Sequence, residues 1–100
     1  MSIFSVPIDE VWVVYASSGR CNGCAYVRAK TAEQAEEFAQ TCGWLNNGRV
    51  EVGSTESAAQ WILDMEGGPI DSDDVRESAD FDKINSLTEE GNYVEIMWGT

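Results

Sequence analysis

Apolar and polar positions along this chain fall into short blocks with two different periods. The first block, Val11-Trp12-Val13-Val14-Tyr15-Ala16, is rich in β-branched and aromatic residues and predicts a strand. Its apolar residues are nearly continuous, which predicts a central strand covered on both faces. Residues 1–10 read as a lead-in, where Pro7 restricts any strand to an edge. Turn formers then accumulate from Ser17 to Gly23, and Asn22-Gly23 is a strong hairpin signal. The second strand is accordingly expected over Cys24-Ala25-Tyr26-Val27-Arg28-Ala29-Lys30.

The period then lengthens. Thr31-Ala32-Glu33-Gln34 is a capping box, in which Thr31 accepts from an amide of the first turn and Gln34 reaches back. Ala32, Ala35, Phe38, Ala39 and Cys42 follow at helical spacing, with Glu33, Gln34, Glu36, Glu37 and Gln40 outside and Gly43 as the expected C-terminal cap. Asn46-Asn47-Gly48 predicts a turn and Arg49-Val50-Glu51-Val52 a short strand. Ser54-Thr55-Glu56 offers caps for a second helix with the stripe Ala58, Ala59, Trp61, Ile62 and Met65, ended by Gly67-Gly68-Pro69. Val75, Ala79, Ile84 and Leu87, with Phe81, again have helical spacing. Ser72 and Asp80 are candidate caps there, so two short helices or one broken helix fit. After Glu90-Gly91-Asn92, a closing strand Tyr93–Trp98 places Val94, Ile96 and Trp98 on one face. The order β-β-α-β-α-(α)-β predicts an α+β fold, a mainly antiparallel sheet with helices packed on one face, as a single domain over residues 1–100.

Composition supports a real core: 43% of residues are apolar, and four are tryptophan. Charge changes the picture more. Residues 1–50 carry net −1 and residues 51–100 carry net −11. Within the latter, Asp64 to Glu90 holds ten acids against Arg76 and Lys83. Direct binding of nucleic acid or of an anionic membrane needs clustered Lys and Arg, which this balance excludes. The natural partner of such a segment is a basic protein surface. The bland reading is that the charge serves solubility. The helical spacing of the apolar residues within the block predicts a folded surface, and Asp71, Asp73, Asp74, Glu77, Asp80, Asp82, Glu89 and Glu90 are the expected partner-binding residues.

Candidate chemistry is sparse. Met1–Ser5 lacks the basic start of a secretory leader, and no apolar run is long enough for a bilayer, so reduced thiols in a cytoplasm are expected. Cys21-Asn22-Gly23-Cys24 is the one site-like motif. In length and order the chain superficially resembles a glutaredoxin, which implies thiol redox chemistry. It departs from that pattern because the helix begins at Thr31 and Pro69 lies beside a helix rather than ahead of a strand. Zinc would have Cys21, Cys24 and Cys42 but no histidine, and Cys42 falls on an apolar stripe. A calcium loop from Asp71 to Asp82 fails where its obligatory glycine would be Arg76. Without histidine, Ser–His and Cys–His nucleophiles are excluded. No catalytic residue, metal or cofactor is expected. Trp44, just past a helix end, is the candidate for an exposed anchor at an interface.

The strand–turn–strand followed by Val27-Arg28-Ala29-Lys30-Thr31-Ala32-Glu33-Gln34-Ala35-Glu36 and the strand Arg49–Val52 looks like the build of several small phage-encoded anti-CRISPR proteins. The likeness covers about residues 11–52 and is one of size, order and acidity. It implies a non-enzymatic inhibitor in the host bacterial cytoplasm that binds a nucleic-acid-handling protein or complex, in some cases as a DNA mimic. The alternative is a thiol redox or metal-binding protein centred on Cys21 and Cys24.

Overall fold

A strand of alternating pleat can be buried on both sides only if something packs on each side. β1 (Val11–Ser18) is such a strand in a computed structural model that describes residues 3–18, 21–42 and 51–99. It pairs antiparallel with β2 (Cys21–Arg28) on one side and β3 (Glu51–Ser57) on the other, and β4 (Tyr93–Gly99) pairs antiparallel with β2. The sheet order is β3-β1-β2-β4. Among the described residues four α-helices complete the fold: α1 (Ala32–Cys42), α2 (Ala58–Glu66), α3 (Asp73–Glu77) and α4 (Ala79–Asn85). The class is α+β, with elements in the order read from the sequence.

The expected single helical face is corrected by the packing. Val14, Ala16, Ala25 and Val27 form one core with Ala35 and Ala39 of α1. Val11, Val13, Cys24 and Tyr26, which alternate with them, form a second core with Ile62 of α2, Val75 of α3 and Ile84 of α4. Strand residues of opposite parity face opposite ways, so α1 covers one face and α2–α4 the other. The lead-in also proves structural. Phe4, Val6 and Ile8 are buried in the second core, and the Phe4 and Phe81 rings lie 5.4 Å apart.

Local signals lost to the ladder in two places. Asn22 and Gly23 do not turn; they pair with Ser17 and Ala16 on one side and with Gly99 and Trp98 on the other. The backbone hydrogen bonds of two ladders outweigh a two-residue turn preference, so β2 starts at Cys21 and ends at Arg28, short of Ala29 and Lys30. Similarly, Thr55 and Glu56 stay in β3 opposite Val14 and Val13. The α2 cap is therefore Ser57, whose hydroxyl accepts from the Gln60 amide, instead of a residue of Ser54-Thr55-Glu56.

Other signals match. Thr31 Oγ1 accepts from the Gln34 amide at 3.1 Å, and Gln34 Oε1 reaches back to the Lys30 amide at 2.8 Å. Gly67 closes α2 at φ 71°, where a side chain would be strained. Met65, expected in the buried stripe, is instead 59% exposed. Gly43, Trp44, the Asn46–Gly48 turn and Arg49-Val50 lie outside the described residues.

A candidate protein-docking face

The acidic segment folds because short apolar anchors alternate with serine caps. Ser72 Oγ accepts from the Val75 amide and starts α3. Ser78 ends α3 and starts α4: its hydroxyl donates to the Val75 carbonyl at 2.7 Å and accepts from the Phe81 amide at 3.3 Å. Asp80, the other expected cap, instead sits in the first turn of α4. Val75, Ile84 and Leu87 are buried, and Phe81 packs partly against the same core, while Ala79 stays exposed. Two short helices are thereby fixed to the sheet with their acids outward.

Asp71, Asp73, Asp74, Glu77 and Asp82 are exposed in or beside α3 and α4, and Asp80 is half-buried. Glu89 and Glu90 are exposed as well, but they belong to a turn fastened elsewhere. There the Gly91 amide donates to the Arg28 carbonyl at 2.8 Å and the Arg28 amide to the Asn92 carbonyl at 2.9 Å, against the end of β2. The eight expected residues thus comprise six on or beside the helical layer and a pair at the sheet end. Glu33 and Glu37 on α1 are exposed as well, on the opposite face.

Cations do little to neutralise this layer. Lys83 is half-buried and donates to the Ile96 carbonyl at 3.4 Å. Arg28 donates to the Leu87 carbonyl at 2.9 Å and lies 3.9 Å from Glu10. That contact is the only ion pair among the described residues. Arg76 is exposed.

Two tyrosines on the α2 side of the sheet were not legible as polar sites in the sequence. Tyr15 Oη accepts from Trp61 Nε1 at 2.7 Å and donates to Glu56 Oε1 at 3.3 Å. Burial raises its phenol above the ordinary value; the Trp61 hydrogen bond opposes this and the Glu56 charge adds to it. Tyr26 is fully buried, and its ring meets Trp61 edge-on at 5.5 Å. Burial raises its phenol strongly, followed by the influence of Asp80, with smaller contributions from Cys24 and Glu66. Asp80 is therefore close, yet the Tyr26 hydroxyl completes no hydrogen bond of good geometry among the described residues.

The thiol motif fares differently. Cys21 and Cys24 both belong to β2, and three steps along a strand span about 10 Å. A disulfide needs Cα atoms within about 7 Å. Cys24 is 2% exposed in the core. Among the described residues no group of three or more His, Cys, Asp or Glu is placed to hold a metal ion, and no helix is long and apolar enough to cross a membrane.

No family model matches the chain, and neither a curated protein nor a solved structure matches it.

Proposed function

We propose that this protein is a non-enzymatic, anti-CRISPR-like inhibitor of the host bacterial cytoplasm that docks the acidic layer of α3 and α4 onto the basic surface of a nucleic-acid-handling protein. One observation carries the reading: a run of exposed carboxylates is held on rigid, capped helices while Lys83 and Arg28 are turned to backbone carbonyls. Fixed carboxylates on a folded surface can imitate the charge row of a duplex, which carries about one negative charge per 1.7 Å of axis. Physiological salt screens over about 8 Å, so affinity requires close contact and longer-range attraction mainly speeds encounter.

The test is a pull-down from bacterial lysate with wild type and with Asp71, Asp73, Asp74 and Glu77 all changed to lysine, at rising salt and with competing duplex DNA. Wild type is expected to retain a nucleic-acid-handling protein at low salt and to release it to DNA or salt. The reversed variant is expected to stay folded by circular dichroism and retain nothing. Equal retention by both would reduce the acidic layer to a solvated surface.

A further inference from the structure

A strand at the edge of a sheet presents half of its backbone groups to whatever lies outside. The order β3-β1-β2-β4 puts β2 on one side of β4 and, among the described residues, no strand on the other. The direction of its groups follows from the ladders. The Arg28 amide donates to the Asn92 carbonyl at 2.9 Å. Bonded and non-bonded pairs alternate along an antiparallel ladder, so Tyr26 is bonded to Val94, and Ala25 is not bonded to Glu95. The neighbouring ladder agrees: the Ala29 amide donates to the Glu10 carbonyl at 2.8 Å, and the same alternation commits Ala25 to Val14 and Gly23 to Ala16 of β1. The backbone groups of Glu95, opposite Ala25, and of Trp98, opposite Gly23, therefore point out of the sheet. Between them, Ile96 is the extra residue of a register shift, and its carbonyl accepts from Lys83 at 3.4 Å. Lys83 thereby ties the β4 edge to α4 and the acidic layer.

We propose that the outer edge of β4 takes one extended, lysine- or arginine-bearing segment of the basic partner as a further strand. The assignment rests on the docking reading for the sign of the partner's charge and adds how one of its segments is held. Charge selects the occupant. A second copy laid on this edge would bring two exposed Glu95 carboxylates together between chains that each carry net −12, and like charges across strands are destabilising. A basic segment meets Glu95 favourably, and main-chain bonds to Glu95 and Trp98 supply the grip, as in other cases of strand addition.

The test adds to the full chain a short synthetic peptide alternating Lys and Thr, and the same peptide N-methylated at two adjacent central residues. Methylation keeps the charge and removes donors from both edges of the peptide strand. In free wild type the Glu95 amide is expected to exchange fast and the Val94 amide slowly by NMR. The unmodified peptide should slow the Glu95 amide and bind about tenfold more tightly than the methylated one, the worth of about one backbone hydrogen bond. Glu95→Pro removes an outward N–H and no ladder bond, a position where proline is tolerated, and should bind both peptides alike. Equal binding of the two peptides by wild type, with Glu95 exchange unchanged, overturns the edge proposal and leaves the docking reading standing. Binding of neither overturns the edge proposal, and the pull-down with the lysine-reversed variant then decides the docking reading separately. A Glu95 amide already slow in a dimer of the free protein overturns the basic occupant in favour of a second copy. Should Glu95→Pro fail to fold, the two peptides on wild type decide alone.

Discussion

At the scale of single residues, Tyr26 shows what the linear pattern hides. It reads as an ordinary aromatic residue of a strand, and so it is, but its hydroxyl is buried beside Asp80 with no completed bond. That hydroxyl was dehydrated on folding without a compensating bond, a loss of about 1–3 kcal/mol. Tyr26→Phe should therefore be neutral or more stable by about 1 kcal/mol in urea denaturation, whereas a clear loss would reveal a partner for the hydroxyl. The pH dependence has a definite sign. The phenols of Tyr15 and Tyr26 are raised in the fold, so the native state holds their protons more tightly than the unfolded chain does. Their contribution is complete below the unfolded value of about 10 and is lost as pH rises beyond it. Stability should fall more steeply above that pH in wild type than in Tyr26→Phe. None of this follows from spacing, because Tyr26 and Asp80 meet only when the chain between them has crossed the sheet.

Among the elements, legibility tracked how local the deciding force was. The α1 start was readable at Thr31 and Gln34 because both partners lie within one turn. The Asn22-Gly23 turn and the Ser54-Thr55-Glu56 cap give way to strand pairing, with β4 opposite Asn22-Gly23 and β1 opposite Thr55-Glu56, each from a distant part of the chain. The pattern leaves open two short helices or one broken helix, with Ser72 and Asp80 as candidate caps; the structure shows two helices, capped by Ser72 and by Ser78 in place of Asp80. One hydroxyl there serves two helices, which gives Ser78 more leverage than an ordinary cap. Ser78→Ala should cost about 1–2 kcal/mol in denaturant unfolding, at the upper end for a cap. Ser57→Ala, which frees only one amide, should cost less.

For the molecule as a whole, the nearly unbroken apolar run Val11–Ala16 was the most informative signal, because it demanded cover on both sides of the sheet. The helices supply that cover, α1 on one side and α2–α4 on the other. Which helix takes which side depends on the crossovers, and no local pattern encodes that. Ile62 sits fully buried in the larger core, and Ile62→Ala should cost about 2–5 kcal/mol by thermal or chemical melting. The acidic block was readable as a folded surface from Val75, Ile84 and Leu87. Its division between the helical layer and the Glu89–Glu90 turn was not, since the turn is positioned by Arg28 of β2.

The placement of that layer also has a consequence in time. β1 and β2 are neighbours in sequence and can pair early, but β4 reaches β2 only after α2–α4 have crossed from the β3 edge. Long-range pairing of this kind is slow to form. The crossover contains the segment of net −8, and compaction brings its like charges together. Added salt should therefore speed refolding in stopped-flow measurements, while the same salt loosens the docking proposed for those charges. One set of carboxylates would hinder the chain's closure and aid its encounter with a partner. Neutralising Asp73 and Asp74 to asparagine should move both rates, folding upward and association downward.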